Sequence, residues 1–418
     1  MICADGYDKE MYDIESKTYK IILHSNTKPP IIPPDVKILH TNDYFDLPVD
    51  NLPHGLVELH LGSQFNHNVD CLPKTLTRLS VNYAFDKPID HLPKSLTHLQ
   101  LGDSFNQTIN KLPKELICLT FIGMFNQCKF NQKINKLPKS LSYLSLGSYF
   151  SQCVDDLPKS LTHLNLGDLF NKKVDKLPKG LTHLTFTVHF NQKVDKLPKK
   201  LIHLKLSSKF NQTIDHLPKT LECLILGDSF DQPIDHLPDG LTQLVLGKSF
   251  NQKIDNLPKH LTKLTLGNAF NQQIDKLPIS LTQLILGNAF DHPIDHLPDG
   301  LTELVLGKSF NQKIDNLPKS LISLTLGSEF DQEMAHLPKS LTHLIFPSNC
   351  KVKNHIPIGI ENIEIIFFNH DFFDETIDNL PSTIKYIKIN LIHKLHFIKH
   401  VPAGCKIFDN NNNQISLI

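Results

Sequence analysis

Three histidines, His163, His183 and His203, occupy the same place in successive 20-residue intervals, and His98 and His343 fall in the same column. Imidazoles repeated at one sheet position would stand about 4.8 Å apart, close enough to share a cation. Zinc asks for a tetrahedral donor set with a fourth ligand or a bound water, whereas a straight column presents its nitrogens in a line. The column, with Lys205 beside its last member, is therefore read as exposed surface or partner contact, and no metal ligand is assigned. A second periodic column is acidic (Asp70, Asp90, Asp155, Asp175, Asp195, Asp215, Asp235, Asp255, Asp275, Asp295, Asp315), with a lysine four residues on in most copies. Each D-x-L-P-K is expected to carry its own counter-charge, with the aspartate bonding turn amides. The asparagine after each phenylalanine is expected to form a stacked amide ladder. Outside these columns there is no Gly-rich phosphate loop, no nucleophile elbow and no carboxylate pair standing out of pattern, so neither catalysis nor a cofactor is expected.

The element that must position these columns is a repeat. Leu-Pro recurs at 52, 72, 92 and 112, then from 137 to 337 at intervals of 20, with one five-residue insertion near 118–130, where Phe125-Asn126-Gln127 precedes a second Phe130-Asn131-Gln132. With Leu161 as position one, the unit is LTHLNLGDLFNKKVDKLPKG: apolar at 1, 4, 6, 10, 14 and 17, glycine at 7, proline at 18. That spacing is not helical. Positions 4 and 6 share one face of a short strand and 3 and 5 the other, while the glycine marks a left-handed or crowded backbone. The remaining residues are too few for a helix and its turns, so the return path is expected to be extended segments and single 3-10 turns. One unit cannot bury six apolar side chains alone; stacking its neighbours can. The fold class is thus a repeat solenoid, a right-handed parallel β-solenoid with one strand per coil and few or no long helices. Residues 1–31 read as an N-terminal segment or cap, 32–346 as the array, and 347–418 as degenerate repeats (Ile356-Pro357, Leu380-Pro381, Val401-Pro402) and a C-terminal cap.

LxxLxL followed by a turn and a later apolar lattice resembles a leucine-rich repeat. The closer resemblance is to the FNIP repeat family of social amoebae and giant viruses, carried by Phe250-Asn251 with Ile254 and Leu257-Pro258 and extending over roughly residues 45–345. Family members often carry an N-terminal F-box, which docks onto ubiquitin-ligase scaffolds; residues 1–44 are too short for one and lack its helical periodicity. The resemblance implies a protein-interaction scaffold, with a substrate-recognition subunit of a ubiquitin ligase as the alternative and an enzyme built on a solenoid the weaker one.

Lysine plus arginine and aspartate plus glutamate both number 43, so the formal net charge of zero removes the footprint that nucleic-acid backbones require. No stretch is apolar enough to span a membrane. Eight dispersed cysteines with no CxxC pair, and an acidic start without a secretory pattern, fit an intracellular, cytoplasmic protein, in host cytoplasm if viral. Residues 230–259 recur at 290–319 with only Gln232/His292 and Gln243/Glu303 changed. Growth by copying blocks suits a variable binding surface better than one catalytic constellation. Outward position 5 is polar from His60 to Lys205 and then reads Ile225, Val245, Thr265, Ile285, Val305, Thr325, Ile345. β-Branched residues favour strands anyway, but a contiguous apolar strip is more than scattered exposure. The candidate partner-binding residues are therefore Ile225, Val245, Ile285, Val305 and Ile345, with Gln243, Lys263, Gln283 and Glu303 in position 3 beside them. The secondary candidates are His163, His183, His203 and Lys205. The partner is expected to be a protein.

Overall fold

In each repeat the leucine at position 4 is flanked by two outward side chains, and that alternation holds a three- or four-residue strand in place. The computed structural model describes residues 32–123, 127–334, 336–348, 350, 356–367, 376–378 and 380–415, together with the backbone of short strands at Tyr7–Asp8, Tyr12–Asp13 and Thr18–Leu23. The chain divides into two units, Met1–Lys209 and Phe210–Ile418. In the first, strand Thr18–Leu23 pairs in parallel with Val36–Thr41, and one strand per coil follows in parallel register as far as His203–Lys205. In the second, the parallel ladder runs from Cys223–Ile225 through His343–Pro347 and on to Asn362–Ile366, Tyr386–Ile389 and Lys406–Phe408, where Gln414–Ile415 closes it antiparallel. Both units are parallel β-solenoids, and the irregular copies after residue 347 keep the strand register of the regular ones.

The core is a set of columns. Leu241, Leu244 and Phe250 have no exposure, Leu246 2% and Ile254 4%, and the same positions are buried in the neighbouring coils. Phenylalanine rings stack coil on coil: Phe230, Phe250, Phe270, Phe290 and Phe310 lie 6.1–6.2 Å apart, nearly parallel. Each ring adds about 0.5–1.5 kcal/mol of pairing on top of its burial. The return path has the extended segments and single i→i+3 turns expected of it. It consists of tight turns and extended segments, with the Pro238 carbonyl accepting from Leu241 N–H at 3.1 Å and the Gly247 carbonyl from Phe250 at 3.3 Å. Among the described residues the 3-10 helix is Ile392–Phe397, outside the regular repeat. The position-7 glycines are crowded rather than left-handed. Among the described residues positive φ belongs to Gly359, Gly404 and Asn412, whereas a Cβ on Gly267 would overlap the carbonyl of Gly247 one coil earlier.

The five-residue insertion falls between two regular elements. Cys118–Phe121 is a strand, Phe130 takes the ring position between Phe105 and Phe150, and Lys129 N–H donates to Asp103. The extra residues therefore lie between Phe121 and Phe130, and 124–126, including Phe125, lie outside the described residues.

Candidate protein-binding face

In the second unit the outward strand face is a two-column surface set by strict register. Position 5 pairs Ile225 with Val245, then Thr265, Ile285, Val305, Thr325 and Ile345. All seven are half-buried, each shielded by its neighbours along the column. Position 3 runs beside it. Gln283 Nε2 donates to Glu303 Oε2 at 2.9 Å, and Cys223 Sγ to Gln243 Oε1 at 3.6 Å, while Lys263 is exposed. The structure thus brings all nine primary candidates onto one face: an apolar strip edged by a polar column whose members bond to one another.

The strip ends in a feature the sequence reading missed. Beyond Ile345 the column continues to Glu364, Lys388 and Phe408. Glu364 and Lys388 face each other at 3.8 Å, and a groove of about 230 Å³ opens there, lined by Ile345, Glu364, Tyr386, Lys388 and Phe408 among others. The irregular Leu-Pro spacing signalled further coils, but which of their residues would enter column 5 depends on a register that only the pairing reveals.

In the first unit the histidine column is a stack of plates. The rings of His163 and His183 lie 4.1 Å apart at 12°, those of His183 and His203 4.4 Å apart at 19°. Thr162 Oγ1 donates to the Ser142 carbonyl at 3.1 Å and lies 2.9 Å from His163 Nδ1; Thr182 repeats this with Thr162 and His183. These contacts hold the His163 and His183 rings against their own strands, with the outer nitrogens side by side. Desolvation, then the neighbouring His163 and His203, push the His183 pKa down. Lys205 is exposed at the end of the stack. Among the described residues the one group of three whose ligand atoms converge within 4.8 Å is elsewhere, at His40, Glu58 and His60.

The acidic column corrects a further expectation. In the described ion pairs the aspartate meets position 16 of the next coil rather than its own lysine: Asp90 with Lys111 at 3.1 Å, Asp155 with Lys176 at 3.3 Å, Asp215 with His236 at 3.4 Å; Asn256 donates to Asp235 at 3.1 Å. Position 16 is the counter-column. The bonding of turn amides falls instead to position 11, where Asn251 Oδ1 accepts from Asn271 N–H at 2.9 Å and Asp231 Oδ1 from Asn251 N–H at 2.9 Å. That is the amide ladder expected of the residue after phenylalanine.

The FNIP Repeat family matches in overlapping windows from residues 85–124 and 130–168 through 310–349. The chain belongs to the FNIP repeat family. Its fold is similar to that of CroV588, a circular leucine-rich-repeat protein, at 33% identity and a TM-score of 0.65, over 93% of this chain and 71% of that one. It is also similar to YopM from Yersinia enterocolitica WA-314, at 18% identity and a TM-score of 0.50, over 93% of this chain and 91% of the other, a likeness of fold alone. No curated protein matches the chain. These FNIP repeats are therefore a leucine-rich-repeat-like scaffold, and no described helix is long and apolar enough to cross a membrane.

Proposed function

We propose that this FNIP repeat protein is a non-catalytic scaffold that captures a protein partner on the strand face of residues 223–345. The observation that carries the reading is the contrast within position 5. Core packing dictates positions 4 and 6 in every coil, and strand propensity acts on every coil alike, yet the outward column is apolar only from Ile225 onward. Burial against a partner accounts for that asymmetry. Covering such side chains contributes about 25 cal/mol per Å² before association costs, while Gln243, Lys263, Gln283 and Glu303 set register along the strip.

The test replaces Val245, Ile285 and Val305 together with threonine, which keeps β-branching and surface position. The folded spectrum and melting temperature are expected to survive while partner capture from a cognate lysate falls at least about tenfold, the effect of losing roughly 1.4 kcal/mol of contact. Undiminished capture by an equally stable triple variant would move the interface elsewhere, with the His163–His183–His203 column next. Ubiquitin-ligase scaffold components among the captured proteins would favour the ligase-subunit reading of the same face.

A further inference from the structure

The histidine stack shows why a column is a poor metal site; the opposite geometry occurs at the first coils of the array. His40 and His60 are register neighbours in position 5, and Glu58 lies two residues before His60 on the same strand and so on the same face. Two residues in one column and one in the next form a triangle instead of a line. The two rings are 4.2 Å apart but tilted by 30°, unlike the near-parallel plates of His163, His183 and His203. His60 Nε2 is 2.6 Å from Glu58 Oε1, and ligand atoms of all three residues fall within 4.8 Å of one another.

We propose that His40, Glu58 and His60 form a binding site for a divalent transition-metal ion of the zinc class, with water in the remaining position. Two imidazoles and one carboxylate are a donor set such ions accept, and tetrahedral coordination at about 2.0–2.1 Å sets donor atoms about 3.3 Å apart. The Glu58–His60 contact is shorter than that and no separation exceeds 4.8 Å, so side-chain shifts of about an ångström admit the ion between them. The side chains of His60 and Glu58 are 34% and 25% exposed, which leaves an entry path yet screens the carboxylate from bulk water. Arg78, next to Glu58 in position 3, opposes a cation, but it is exposed and screened by salt. A bound ion would tie strand Val36–Thr41 to Glu58–Leu61 through side chains, adding a cross-link near the start of the ladder that the later coils lack.

The test uses the full chain, free of any histidine tag and stripped with chelator, titrated with Zn2+ by calorimetry and with Co2+ by visible absorption. One tight site per chain is expected, with zinc raising the melting temperature. His40→Ala, His60→Ala and Glu58→Gln should each weaken zinc by at least about tenfold, since even outer-shell losses reach that range, while His183→Ala should not. Circular dichroism of the metal-free variants separates lost ligation from lost fold, and Glu58→Gln, which keeps the side-chain shape, decides should an alanine variant unfold. Absence of stoichiometric binding to the wild-type chain, or wild-type affinity in Glu58→Gln and both histidine variants, would overturn the proposal.

Discussion

Asn251 uses a side-chain oxygen where a β-strand would use a carbonyl: it accepts the Asn271 N–H of the following coil and a second bond, at 3.2 Å, from Gln272 Nε2. Any side chain with that oxygen serves, which is why Asp231 and Asp291 hold the same place. Asn251→Asp is expected to be nearly neutral, and Asn251→Ala to cost about 1 kcal/mol in urea unfolding, because water can reach the exposed amide and partly replace the bond. His183 gives a pH-dependent counterpart. Its pKa is lowered in the folded state, so the unfolded chain binds more protons, and its contribution to stability is present above the ordinary value of 6.5 and lost as pH falls below it. His98, pushed down by desolvation and Arg78, acts in the same direction. The melting temperature should therefore drop on acidification below about pH 6.5, and less steeply for His183→Asn; an equal slope would remove the stack from the account. At Cys128 burial pushes the thiol up to about 11, so the exposed Cys71 and Cys153 should react with a thiol reagent first and Cys128 only on unfolding.

At the scale of one coil, two glycines that look alike in sequence differ in consequence. Gly267 touches the backbone of the preceding coil, and a methyl there overlaps the Gly247 carbonyl, so Gly267→Ala must push two coils apart. Several kcal/mol of lost stability and a broadened melt are expected, in the range that marks a named packing failure. At Gly240 the added Cβ would sit 3.5 Å from the Lys219 carbonyl, an ordinary contact with φ in the common region, so Gly240→Ala should be neutral or stabilising by up to about 1 kcal/mol. Phe250, fully buried between Phe230 and Phe270, is the third case: Phe250→Ala opens a cavity between two rings and should cost about 3–5 kcal/mol.

For the molecule as a whole, each coil contacts only its neighbours, so stability is a sum of coil and interface terms rather than the property of one core. Deleting residues 251–270 joins Phe250 to Asn271 with every column in step, and the shortened chain should retain its β-rich spectrum and a cooperative melt. Deleting 251–260 leaves a half-coil that cannot return to the ladder, and should lower the melting temperature sharply or split the transition. Equal stability of the two would contradict the coil as the structural unit.

The 20-residue period, the six buried columns and the crowded glycine were legible in the sequence, because a side chain repeated at a fixed interval meets its own copy in the next coil, so the spacing already contains the contact. What escaped were contacts between unlike positions. Asp90 looks toward Lys94 along the chain, yet its partner is Lys111, since the stacking direction runs across the chain and brings position 16 of the following coil over position 15. The groove at Glu364, Tyr386 and Lys388 lies in coils whose spacing departs from the repeat. There the period no longer says which residue faces which, and the hydrogen-bonded register of the strands decides it.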